Sequence, residues 1–255
     1  MDKVTILMPT YNRADFFLPR AIKSVLNQTY TNWELVIHDD SSTDNTKEII
    51  TSFKDKRIKY TRIGKIRSEE KPESLSDDMK DLSSAHWDVI AFFNRFLKES
   101  KSKYISILAD DAMYYPTNLE KKVPVIKKGY AAVYGYAMNV LYKEGSFIPC
   151  GAGVRGQPFD KNMYMFGGTY FNFIDGSDIL VDRIKALEVG GFKQGIVFND
   201  YALIAKLCMR YEDAIGYVPE VLVENAIHLG RYGAIVSKDT KWRNSDSLKE
   251  HINIY

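Results

Sequence analysis

Two pairs of adjacent carboxylates, Asp39-Asp40 and Asp110-Asp111, each close an apolar run: WELVIH at residues 33–38 and YISILA at residues 104–109. Two carboxylates forced within about 4 Å repel by roughly 1 kcal/mol in water and by several in a shielded cleft. A divalent cation reverses that sign. Hard oxygen ligands of this kind suit Mg²⁺ or Mn²⁺ shared with phosphate oxygens. A single doublet reads equally well as helix capping or solvated loop charge. Two doublets, each just past a strand, point instead to one common edge.

The elements that must hold these acids follow from periodicity. VTILM at residues 4–8 is a buried-strand pattern stopped by Pro9. Ala14, Phe17, Leu18, Ala21, Ile22, Val25 and Leu26 recur at helical spacing. Residues 33–38 form a second strand, a helix over about 43–53 follows, and a third strand is expected at 57–63. This β-α-β-α-β order argues for a parallel sheet, whose ligands sit beyond the carboxyl ends of the strands.

Residues 64–84 are polar, densely charged and without periodicity. A helix carrying Val89, Ile90, Phe92, Phe93, Phe96 and Leu97 comes next, then the strand to Ala109. Pro116 introduces a helix over 117–128, and residues 130–142 read as a long strand. Further on, residues 173–181 look strand-like, 182–188 a short helix ended by Gly190-Gly191, and 201–211 an amphipathic helix.

Composition narrows the class. The chain has 255 residues, enough for a substantial core, and a net charge of +2, too balanced to mark a nucleic-acid binder. Two cysteines, Cys150 and Cys208, make no disulfide framework and no zinc spacing. A reducing, cytoplasmic compartment is expected. The strand pattern begins almost at once, so no leader is expected before it, and no apolar run approaches the roughly 18 residues of a membrane span. Contact with a membrane surface stays open.

Other constellations are weaker. Gly151-Ala152-Gly153-Val154-Arg155-Gly156 fits G-x-G-x-x-G, but no helix pattern follows it and Pro158 intervenes, so it reads as a flexible loop. Asp200, after Phe198-Asn199, reads locally as a helix cap. His228 lies beside apolar residues, where a histidine is usually structural.

Taken in order, VTILMPTYNR (4–13), SVLNQTYTNWELVIHDDSSTDNT (24–46) and KYISILADDAMYYPTNLEKKV (103–123) resemble family-2 glycosyltransferases of the GT-A fold. The resemblance implies an α/β domain with a mostly parallel, Rossmann-like sheet flanked by helices and a smaller acceptor-side region. It places a GT-A domain at 1–225, with a nucleotide half to about 128 and an acceptor half from 129, and a tail or lid at 226–255. It also implies a metal-dependent, inverting transfer from a nucleotide-sugar, UDP-linked, to a hydroxyl of a saccharide or glycolipid.

The same resemblance assigns roles. Pro9, Thr10 and Tyr11, with Arg13 and Asn94, belong to the nucleotide side. Asp40 contacts the base beside Asp39. Asp110 faces ribose or diphosphate, and Asp111 binds Mn²⁺ or Mg²⁺, with His228 reaching the metal. Asp175 lies on the acceptor side, and Asp200 is the general base. Ala109 stands where the family's D-x-D triplet carries its first acid. Relatives place a basic residue ahead of the helix holding Asn94; His86 or Arg67 would substitute here. Two rival classes stay open: a sugar-nucleotide-binding protein without turnover, resting on Ala109, and an oxidoreductase, resting on the 151–156 glycines.

Overall fold

The computed structural model describes residues 1–14, 16–62, 89–143, 146–166, 174–193 and 199–227. Strand β1 (Val4–Thr10) pairs in parallel with β2 (Trp33–Asp39), which pairs in parallel with β3 (Ile58–Arg62). Helices α1 (Phe17–Leu26) and α2 (Thr46–Ser52) make the crossovers that parallel neighbours require. On the other side of β1 runs β4 (Tyr104–Ile107), also parallel. Residues 89–99 form helix α3.

The sheet continues as β8 (Leu180–Asp182), β6 (Ala132–Lys143), β9 (Ile215–Ile227) and β5 (Ala112–Tyr114), with β7 (Ser146–Arg155) paired to β6. β8 is antiparallel to both its neighbours, β6 and β9 are parallel, and β5 turns back along β9. Helix α4 (Asn118–Ile126) follows β5, and α5 (Lys161–Phe166), α6 (Arg183–Glu188) and α7 (Asn199–Arg210) complete the described helices.

Alternation along the strands assigns the layers. In β1, Val4, Ile6 and Met8 pack with Leu18, Ala21, Ile22 and Val25 of α1, while Leu7 faces Ile90 and Phe93 of α3 and Leu203 and Leu207 of α7. Both faces are covered, which is why these strands read as continuous apolar runs. The first cluster also takes in Val133 and Leu222, so one core spans both halves of the chain.

Several expectations change. Of the expected strand at 173–181, the described residues before Leu180 are not strand, and only Leu180 and Val181 are, as the start of β8. Asp175 Oδ1 accepts the Ser177 N–H (2.9 Å), and Gly176–Asp178 form a single 3₁₀ turn before β8. This aspartate-capped turn supplies a local alternative to the ladder. The glycine run 151–155 is not a loop but the end of β7, with Val154 opposite Met138 and Arg155 opposite Ala137. β4 ends at Ile107, two residues before Ala109, and β5 and β9 had no clear signal. Ala226 and Ile227, assigned to the tail, finish β9. The 64–84 segment, Arg67, His86 and His228 lie outside the described residues.

The base of β1 and β2 holds a buried acid. Thr5 Oγ1 donates to Glu34 (2.8 Å), and Lys3 and Lys59 donate to its other oxygen (2.6 and 2.7 Å). Burial raises the Glu34 carboxyl, but these three partners outweigh it and hold it at about 2. A carboxyl lowered on folding contributes stability above its unfolded value, and that contribution is lost as pH falls from about 4.5 toward 2. Both lysines are half exposed, so screening leaves about 1–2 kcal/mol. Glu34→Gln is expected to lower denaturant stability by that amount at pH 7 and by little at pH 2. Equal losses at both pH values would contradict the ion-pair account.

Candidate active site

The carboxyl ends of β1, β2 and β4 converge on one edge. Thr10 is level with Asp39 in the β1–β2 register, and Leu7 with Ile107 in β1–β4. Three residues further along each chain, Thr10 and Asp110 meet. Leu108 N–H still bonds Leu7 O (3.0 Å), and Ala112 N–H then closes a turn onto Ala109 O (3.1 Å). That turn presents Asp110 and Asp111 where the sheet ends.

Asp111 is buried, and its carbonyl accepts the Ala226 N–H (3.2 Å), which ties the acidic turn to β9. Asp110 keeps part of its surface open, but its carboxyl is packed round by protein. Burial raises that carboxyl first, and the negative charge of Asp111 raises it further; the Tyr11 N–H, Thr10 and the Arg13 charge pull the other way. The Thr10 hydroxyl is buried and makes no hydrogen bond of normal geometry. Two crowded acids with a cationic side chain nearby make a site that a divalent cation and a diphosphate would relieve. Among the described residues no three His, Cys, Asp or Glu side chains converge on one cation position. A cation here would rest on Asp110, Asp111 and ligand oxygens.

The β2 doublet is divided. Asp39 is 1% exposed; its Oδ1 accepts the Ser42 N–H (2.8 Å) and its Oδ2 the Tyr60 hydroxyl (2.6 Å), with Arg62 Nε at 4.0 Å. Burial and then Asp39 push the Tyr60 hydroxyl up to about 12. Asp39 therefore braces the wall. Asp40, half-buried beside it, donates its N–H to Thr10 O (3.0 Å), which ties the ends of β1 and β2 together.

The wall itself is an interlock of two loops. Asn12 N–H donates to Ser42 Oγ (2.9 Å), Thr43 N–H to Asn12 Oδ1 (2.8 Å) and Ala14 N–H to Asp44 Oδ2 (3.1 Å). Asn12 and Ser41 adopt left-handed backbone (φ 50° and 61°), which turns both loops sharply. Tyr11 stands 55% exposed at the lip, and the Arg13 guanidinium lies 5.8 Å from the Phe17 ring.

The later acids reach the same edge through the 175–178 turn. Ser177 Oγ accepts the Ala109 N–H (3.2 Å), joining the turn to the residue before the doublet. Asp175, 6% exposed, caps the turn. Asp200 opens α7 and its Oδ1 accepts the Tyr201 N–H (2.8 Å). A Cβ on Gly176 would lie 3.3 Å from Asp200 Oδ2, so the carboxylate rests against that glycine. Sequence reading missed Ser177, Ser42 and Tyr60, because each acts through a partner distant in sequence.

Asn94 does not join this cluster. Its amide donates to Phe192 O and accepts the Phe192 N–H (both 2.8 Å), clamping α3 to the loop after α6. Gly191 there has φ 65°, and a Cβ on it would come within 2.4 Å of Asn94 Oδ1. No described helix is long and apolar enough to cross a membrane.

Residues 5–71 match the family model of glycosyl transferase family 2. A UDP-Glc:α-D-GlcNAc-diphosphoundecaprenol β-1,3-glucosyltransferase from Escherichia coli is 32% identical over 133 residues, 52% of this chain and 44% of that one. Among solved structures, S. aureus TarS 1-349 in complex with UDP-GlcNAc superposes with a TM-score of 0.60 at 13% identity, over 90% of this chain and 60% of that one. The mannosyltransferase PcManGT from Pyrobaculum calidifontis, in complex with GDP-Man and Mn²⁺, gives 0.58 at 16% identity, over 92% and 59%. The chain thus spans less than two thirds of each of these proteins. At such identities the structural likeness is one of fold, and that fold is GT-A.

Proposed function

We propose that this chain, whose residues 5–71 match the family model of glycosyl transferase family 2, transfers a sugar from a UDP-linked donor to a hydroxyl of a saccharide or glycolipid, with inversion at the anomeric carbon. The observation that carries this reading is that three acidic groups lie toward one strand edge: Asp40 beyond β2, Asp110-Asp111 in the turn after β4, and Asp200 against Gly176 of the turn bonded to Ala109.

In this reading Tyr11, at the lip, and Asp40, on the wall, hold the base. Thr10, Arg13 and Asp110 line the diphosphate, with the buried Thr10 hydroxyl beside the Asp110 carboxyl. Asp110 and Asp111 would hold Mn²⁺ or Mg²⁺, which when bound offsets the charge of the departing diphosphate. Asp200 takes the proton of the acceptor hydroxyl as that oxygen bonds to the anomeric carbon. The bond from that carbon to the diphosphate breaks, and its electron pair leaves on UDP. Attack opposite the leaving group inverts the centre. Asp175 borders the acceptor. A glycolipid acceptor would bring the protein to a membrane surface.

A thermal-shift panel of nucleotide diphosphates tests the donor side. UDP with Mn²⁺ at about 100 times its Kd stabilises the native state by about 2.7 kcal/mol, a rise of about 5 °C or more in a chain of this size. NAD is expected to do nothing. A panel in which no nucleotide diphosphate shifts the melting point would overturn the reading. Ala109 and the two-acid cation site favour one second reading, a sugar-nucleotide-binding protein without turnover. It predicts the same shift with no UDP released.

A further inference from the structure

Beneath the 175–178 turn lies a buried ion pair. Lys122 of α4 and Asp178 are each fully buried. Lys122 Nζ donates to the Asp178 carbonyl (2.5 Å) and to its carboxylate, whose second oxygen accepts the Gly135 N–H (2.5 Å). Lys122 Nζ also lies 5.9 Å from the centre of the Tyr114 ring. The Tyr114 hydroxyl donates to Ile107 O (2.7 Å), at the end of β4. One ammonium therefore touches both the strand that follows the acidic turn and the turn that carries Ser177 and Gly176.

Stability gives no reason for such a pair. Taking two charges out of water costs several kcal/mol per ion, and apolar residues of similar volume are often as good or better. Lys122 occupies the inward stripe of α4 with Leu119, Val123 and Ile126, where an apolar residue is the usual occupant. Burial lowers the Lys122 ammonium and raises the Asp178 carboxyl, against their mutual attraction. What the pair supplies and a leucine cannot is direction: fixed bonds to one backbone carbonyl and one backbone N–H.

We propose that Lys122 and Asp178 are positioning residues of the site, which fix the 175–178 turn and so set the spacing between the Asp110-Asp111 loop and Asp200. The links are short. Asp178 N–H bonds Asp175 O (2.9 Å), Ser177 Oγ receives the Ala109 N–H, and Gly176 backs Asp200. A shift of the turn displaces the base relative to the diphosphate acids, and misplacement by about 1 Å can cost about 10²-fold in rate. The claim about rate rests on the transferase reading above; the claim about geometry does not.

The test compares the full chain with the double variant Lys122→Met/Asp178→Leu and with Ser177→Ala, by steady-state kinetics with UDP-sugar and Mn²⁺ and by amide hydrogen exchange. The double variant is expected to melt cooperatively, to lose about 10–100-fold in kcat with KM for the donor within about twofold, and to exchange the Ala109 amide at least about tenfold faster. Ser177→Ala, which cuts only the last link, moves kcat the same way by about five- to tenfold. A folded double variant with wild-type kcat and wild-type Ala109 exchange overturns the proposal. Should the double variant not fold, an unchanged kcat in Ser177→Ala overturns it. If the wild-type chain transfers nothing, the transferase reading fails by itself, and Ala109 exchange alone decides the positioning claim.

Discussion

Asp200→Asn is expected to lower kcat by about 10²–10⁴-fold, the usual contribution of a positioned base, while donor affinity stays within about twofold. The substitution keeps shape and capping. Asn Oδ1 can still accept the Tyr201 N–H that Asp200 now receives at 2.8 Å, and the amide fits the space against Gly176 that the carboxylate fills. What it removes is the capacity to take a proton from the acceptor hydroxyl. Kinetics paired with UDP titration separate the roles: a collapse of donor affinity with kcat preserved would make Asp200 a binding or folding residue.

Asp111→Asn carries the second large effect. Asp110 and Asp111 are adjacent and crowded, and their repulsion already raises Asp110. That arrangement is unfavourable unless a cation shares them. Removing the Asp111 charge is expected to abolish the response of turnover to Mn²⁺ and to lower kcat/KM by about 10²–10³-fold, the scale on which fixed stabilisation of developing charge acts. Ala109 stands where a further acid could help, which leaves Asp110 as the one other acid of that turn. Wild-type turnover and metal response in this variant would sink the assignment.

Much of the N-terminal half was legible because its signals are local. The apolar run of β1, the helical spacing from Phe17 to Leu26 and the run of β2 each report burial within a few residues. The doublets were legible as chemistry because each closes such a run. Which acid of a doublet braces and which faces the ligand was not. Asp39 is taken up by Ser42 and by Tyr60, a residue from the next strand, and sequence spacing carries no trace of that bond.

The later half of the chain hid more. Around Asp175 the apolar residues mask an aspartate-capped turn as a strand, and the glycines before Gly156 suggest a loop although β7 runs through them, pairing with β6 on either side at Pro149 and Val154. Pro219 and Glu220 interrupt β9, whose pairing with β6 slips between Tyr134 and Ala137, so no clean alternation marked it. Lys122 had a readable signal, a lysine on an apolar helical stripe beside Leu119 and Val123. Its partner Asp178 lies 56 positions away and only the fold reveals it.

Release of UDP from UDP-sugars, followed with Mn²⁺ and with chelator in wild type and Asp200→Asn, tests the central claim most directly. The account predicts release that needs both the cation and Asp200. Firm UDP binding with no release from any UDP-sugar, under any acceptor supplied, would contradict it and leave a protein that holds the nucleotide without turning it over.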